Sequence, residues 1–120
     1  MDFNFDWNYI ASGTPYITIS RLGLAMNSAV IQQLGNPEKV MLGFDSQACI
    51  IGVRKYDGKN NVKSYEFRNK ERHGWVRIGC KDFVKNLSHI TGIDFSEAKR
   101  FITSFDADTQ TVYFKVENPE

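Results

Sequence analysis

The chain has 120 residues, a formal net charge of +1, 42% hydrophobic residues and 24% charged residues. That length suits one domain with one hydrophobic core, and the composition excludes a disordered chain and a disulfide-stapled miniprotein. No apolar run reaches the roughly 18 residues of a transmembrane helix, and the two cysteines have no metal-binding spacing, so no membrane span, metal or cofactor is expected.

Residues 1–15 form an arm or edge strand in which Phe3, Phe5 and Trp7 alternate, followed by Ser12-Gly13-Thr14-Pro15. The acidic, aromatic start lacks the basic residues and apolar stretch of a signal peptide, so a cytoplasmic location is the default expectation. Tyr16-Ile17-Thr18-Ile19-Ser20 is β-branched and alternating, the pattern of a strand. Arg21-Leu22-Gly23 reads as a turn and Leu24-Ala25-Met26 as the return strand. Asn27 is placed to cap a short helix over Ser28 to Leu34, with Val30, Ile31 and Leu34 on one face and Gly35-Asn36-Pro37 as its stop. Lys39 to Phe44 and Ala48 to Arg54 form a hairpin about Asp45-Ser46-Gln47. The apolar run of the second strand predicts a central strand covered on both faces.

Asp57-Gly58-Lys59-Asn60-Asn61 is the strongest breaker in the chain, and residues 57–63 are read as a connector. Beyond it the pattern returns. Ser64 to Arg68 is a strand, Asn69 to Gly74 a charged turn, and Trp75 to Ile78 a return strand. Lys81 to Ile90 is a helix with Phe83, Val84, Leu87 and Ile90 on one face, ended by Thr91-Gly92. Phe95 to Lys99 adds a helical turn capped by Ser96 or Asp94. Phe101 to Phe105 and Thr111 to Val116 form a last hairpin about Asp106-Ala107-Asp108, and the final four residues should fray. The expected fold class is α+β: two tandem hairpin–short helix–hairpin units, residues 16–56 and 64–116, forming one compact domain. Chance similarity of two α+β segments is the competing explanation of the match.

Charge is unevenly spread. Residues 54–85 hold ten basic and four acidic side chains, a balance of +6, against −2 for residues 1–53 and −3 for residues 86–120. Clustered Lys and Arg favour phosphate backbones through counterion release, and the interleaved Tyr56, Tyr65, Phe67 and Trp75 would permit base stacking. The candidate nucleic-acid-binding residues are therefore Arg54, Lys55, Lys63, Arg68, Arg72 and Arg77. A solvated hairpin of alternating charge would give the same composition.

No catalytic constellation emerges. His73 and His89 are isolated and read as surface or turn residues. Asp106-Ala107-Asp108-Thr109-Gln110 begins like a calcium loop but has Thr111 where that loop needs its sixth-place glycine, which leaves a β-turn. Cys49 and Cys80 read as reduced thiols.

The order of Ile17 to Asn27, then Ile31-Gln32-Gln33-Leu34-Gly35, then Val40 to Val53, resembles the AbrB-type swapped-hairpin regulators. Residues 64–116 follow the same order more loosely, so a tandem version would resemble the MraZ type. The resemblance implies a small DNA-binding regulator. Asn27 or Ser28 stands where that family usually has proline, and Ile31 or Gln32 where it commonly places a DNA-contacting arginine, while a basic residue before the turn glycine is kept as Arg21 and Arg72. The expected partner is duplex DNA. The alternative is an interaction module that binds another protein or a second copy of itself.

Overall fold

A computed structural model describes residues 13–59 and 61–116. Within them the chain forms β1 (Tyr16–Ser20), β2 (Gly23–Met26), α1 (Ser28–Leu34), β3 (Lys39–Asp45) and β4 (Ile50–Lys55). It continues with β5 (Tyr65–Glu66), a 3-10 turn (Arg68–Lys70), β6 (Glu71–Arg72) and β7 (Trp75–Gly79). The last elements are α2 (Lys81–Thr91), β8 (Lys99–Ile102), β9 (Ser104–Asp106) and β10 (Thr111–Lys115).

The fold is α+β with more strand than helix. The strands make two antiparallel sheets of five, in the orders β6-β7-β2-β1-β8 and β5-β3-β4-β10-β9. Each sheet joins the two halves of the chain, through β2 against β7 in the first and β4 against β10 in the second. The chain also passes from one sheet to the other at two corners, Thr103 between β8 and β9, and Phe67 to Lys70 between β5 and β6. Strand neighbours and corners together close a ring around a common core, the usual way a sandwich turns its edges.

Alternation decides which side chains enter that core. Ile17 and Ile19 of β1, Leu24 and Met26 of β2, Val76 and Ile78 of β7, Ile51 and Val53 of β4, and Val112 and Phe114 of β10 are all buried. α1 adds Val30, Ile31 and Leu34, and α2 adds Val84 and Leu87. α1 packs on β1, β7 and β10, and α2 packs on β2.

Asn27 holds the start of α1 as its sequence position predicts. Its Oδ1 accepts from the Val30 amide at 3.2 Å and from the Tyr16 amide at 3.3 Å, while its Nδ2 donates to the Thr14 carbonyl at 2.7 Å. One side chain thus caps a helix and ties down the chain entering β1. At the other end Gly35 is left-handed (φ 77°), its amide bonds Gln32 O, and the Asn36 amide bonds Ile31 O. This pair of bonds is the Schellman ending.

Several local expectations are corrected. The first hairpin turn extends through Ala48 and Cys49, and Cys49 takes a positive φ of 57°, so β4 begins at Ile50. β4 is central, as expected, but only Ile51 and Val53 are buried on it; Ile50 and Gly52 are half-exposed and Arg54 is exposed. The strand expected over Ser64 to Arg68 stops at Glu66, because Phe67 turns fully into the core and the Phe67 and Arg68 amides both point to Glu38 O. The charged turn after it resolves into the 3-10 turn, β6 and a two-residue turn at His73-Gly74 with φ of 57° and 82°.

Ile90 is 46% exposed, since α2 ends one residue later and Ile93, just beyond Gly92, takes the buried place instead. Phe95 to Lys99 is a non-helical turn in which Asp94 Oδ1 accepts from the Ser96 amide at 2.9 Å. The strand expected over Phe101 to Phe105 breaks at Thr103, whose amide bonds Pro15 O as the chain changes sheet. The alternating aromatics of residues 1–12 and the last four residues lie outside the described residues.

Candidate nucleic-acid interface

The register of the first sheet fixes which side chains face outward together. Thr18 pairs with Ala25 and with Arg100, and Ala25 pairs with Arg77. Directly opposed residues share a face, so Arg100, Thr18, Ala25 and Arg77 form one row across four strands. One step along the strands, Ile102 pairs with Tyr16, and Trp75 with Arg72. The Tyr16 and Trp75 rings meet between them edge to face, with centroids 5.6 Å apart. On the other side of the arginine row, Ser20 pairs with Gly23 and Gly23 with Gly79. These small residues leave an open trough of about 390 Å³ beside Arg77 and Ala98.

The trough depends on Gly23. Its φ is 154°, and a Cβ there would lie 1.8 Å from the Ile78 carbonyl oxygen. Only glycine lets β2 approach β7 this closely at the junction between the halves.

Cations sit over both rings of the aromatic pair. The Arg100 guanidinium lies 4.5 Å from the Tyr16 centroid and the Arg77 guanidinium 5.8 Å from that of Trp75. Arg72, Arg77 and Arg100 are exposed, and Tyr16 and Trp75 are half-buried. The outward positions of these five strands, among the described residues, carry three arginines and no carboxylate. Glu71 alternates to the other side of β6, where its carboxylate accepts from the Gly74 amide at 3.2 Å. Neighbouring strands are about 4.8 Å apart, so five of them present a platform about 19 Å wide. Guanidinium groups held over rings can take a phosphate through their N–H groups or a base on an exposed face.

Of the six basic residues singled out from the sequence, Arg72 and Arg77 stand on this platform, Arg72 with its Nη1 donating to the Asn69 and Glu71 carbonyls at 3.0 and 2.6 Å and its Nε and Nη2 outside those bonds. Arg54 and Lys55 are on β4, in the other sheet. There Arg54 borders a cleft of about 550 Å³ that it shares with Asp45, Asp106 and Tyr113. Both of these aspartates are engaged in their own hairpin turns, Asp45 with the Gln47 and Ala48 amides and Asp106 with the Asp108 amide and the Thr109 hydroxyl. Two carboxylates make that cleft a poor phosphate site. Lys63 lies in the connection, 5.1 Å from the Tyr65 centroid. Arg68 is committed to the fold: its Nε and Nη2 both donate to the Asn36 carbonyl, at 3.1 and 3.0 Å, just past the end of α1.

Tyr16, Thr18 and Arg100 belong to the platform and escaped the sequence reading. The signal available was parity: in a strand whose isoleucines point inward, Tyr16 and Thr18 must point outward. The pairing of β8 with β1, which adds Arg100, leaves no local trace.

Comparison of the chain with protein-family models, with curated proteins and with solved structures finds no match.

Proposed function

We propose that this chain is a small nucleic-acid-binding protein that acts in the cytoplasm, built from two hairpin–helix–hairpin units of the swapped-hairpin kind, with the outer face of the first sheet as its binding surface. The observation that carries the reading is the arrangement there of Arg72, Arg77 and Arg100 around the Tyr16–Trp75 pair with no facing carboxylate. The two-unit part is supported by strand order. In the first sheet β1-β2 stands against β7-β6 across the central pair, and in the second β3-β4 stands against β10-β9. Both cysteines are free thiols, in keeping with a reducing compartment.

The ligand favoured by this surface is a single strand, because two aromatic rings on a sheet offer stacking to splayed bases, which a closed duplex does not supply. The test is fluorescence anisotropy with a labelled oligothymidine and a labelled duplex at low salt. Expected is salt-sensitive binding of the single strand that is weakened by Arg77→Ala and Arg100→Ala and unaffected by Lys55→Ala. Preference for the duplex with the same residue dependence would retain the surface and change the ligand to duplex DNA; binding indifferent to both arginines would overturn the reading.

One observation favours a protein partner instead: Ile102 is 61% exposed at the β8 end of the same face. Sedimentation decides the self-association form of that reading, which requires a dimer that Ile102→Ser dissociates.

A further inference from the structure

A second concave surface lies where the β1–β2 turn meets α2, on the far side of Leu22, which also borders the platform's trough. The Cys80 amide donates to Leu22 O at 3.1 Å and fixes this turn against the start of the helix. Between them is a groove of about 620 Å³ whose floor and wall are Leu22, Val84 and Phe95. Val84 and Phe95 are core side chains, whereas Leu22 is 63% exposed, the most exposed of the large hydrophobic residues described.

The rim is cationic. Lys81 and Lys85 stand one helical turn apart on α2, and Arg21 faces them from the strand turn. His89 continues the same helical line one turn further on. Asp94 is the carboxylate of this groove, and its Oδ1 is engaged with the Ser96 amide. At neutral pH three fixed cations therefore face one anion. An apolar concavity of several hundred cubic ångströms with a few convergent polar groups is the usual form of a small-molecule site.

We propose that this groove binds an amphipathic organic anion, a molecule with one carboxylate or sulfonate group on an aromatic or aliphatic body. Its body covers Leu22 and fills the floor against Val84 and Phe95, and its anionic group lies among Arg21, Lys81 and Lys85. Charge complementarity selects this class: an uncharged apolar molecule would leave the cations unused, and an inorganic anion would leave Leu22 exposed.

The test uses two fluorescent probes that differ in charge, 8-anilino-1-naphthalenesulfonate and uncharged N-phenyl-1-naphthylamine, titrated against the full chain. Expected is saturable binding of the sulfonate with one probe per chain. Lys85→Glu and Arg21→Glu, at exposed positions, should weaken the sulfonate by about tenfold or more while leaving the neutral probe nearly unchanged. Leu22→Asp should weaken both probes. Equal weakening of both probes by Lys85→Glu, sulfonate binding indifferent to all three substitutions, or no saturable binding by the native chain would overturn the proposal. Far-UV circular dichroism of each variant establishes that the fold is kept. Lys55→Ala, in the other sheet, should leave both titrations unchanged.

Discussion

Replacing Arg77 by alanine gives the most quantitative test of the platform. Arg77 stands between the Trp75 ring and the small-residue trough, in the row with Arg100. If Arg72, Arg77 and Arg100 each neutralise one phosphate, the logarithm of affinity falls with the logarithm of salt with a slope of about −2.1, from ~0.7 per phosphate for single strands. Between 50 and 200 mM salt, affinity then drops about 18-fold in the native chain. With two arginines left the slope becomes about −1.4 and the drop about 7-fold. Arg77→Ala should also lose a charge-assisted contact of about 1.5–3 kcal/mol, or roughly 10- to 150-fold in affinity at low salt. Anisotropy titrations of a labelled oligothymidine at four or more salt concentrations measure both quantities. An unchanged slope would show that Arg77 neutralises no phosphate, and the reasoning from register to function would then be wrong.

Asn27→Ala should cost about 2–3 kcal/mol in urea unfolding, since it removes a helix cap and the strap to Thr14 and Tyr16 together; Asn27→Asp keeps the acceptor and should recover about half of that. Gly23→Ala should cost about 3 kcal/mol or more, because its Cβ would meet the Ile78 carbonyl. Gly43→Ala, with open space at its Cβ, should stay within about 1 kcal/mol of the native chain. Burial pushes the Cys80 thiol from 9.0 up to about 11, so at pH 8 a thiol reagent should modify half-exposed Cys49 quickly and Cys80 only on unfolding. The same shift makes stability fall as pH rises above 9, where the unfolded thiol ionises and the folded one does not, by up to about 3 kcal/mol once pH passes 11. Fast reaction of both thiols at pH 8, or flat stability from pH 8 to 11, would contradict the burial of Cys80.

Sequence patterning located the elements whose signals are local. The Asn27 cap, the Gly35 and Gly92 stops and the alternation in β1 are each decided by a few adjacent residues, and each stands where the sequence places it. What the sequence left hidden depends on partners far along the chain. Phe67 ends its strand because its backbone turns there (ψ −67°) and the Arg68 amide folds back on the Glu38 carbonyl that the Phe67 amide already takes, and Thr103 ends its strand because Pro15, whose carbonyl takes its amide, has no N–H to return the bond. Ile90 has the right helical spacing for the core, but the core ends before it does.

The candidate site was legible only in part for the same reason. Charge density along the chain groups Arg54, Arg68 and Arg77, whereas pairing separates them into the second sheet, a helix-capping contact and the platform. Arg100 lies in an acidic stretch of sequence and enters the site through the register of β8 on β1. A patch on a sheet is a property of neighbouring strands, and neighbouring strands are not neighbours in sequence.

The most direct measurement is a map of backbone amide chemical shifts during titration of the labelled protein with a short oligothymidine at low salt. The platform account predicts that the largest changes fall on Tyr16 to Ser20, Ala25, Arg72, Trp75 to Arg77 and Arg100. Changes concentrated on β3 and β4 or on α2, or no changes at all, would contradict it.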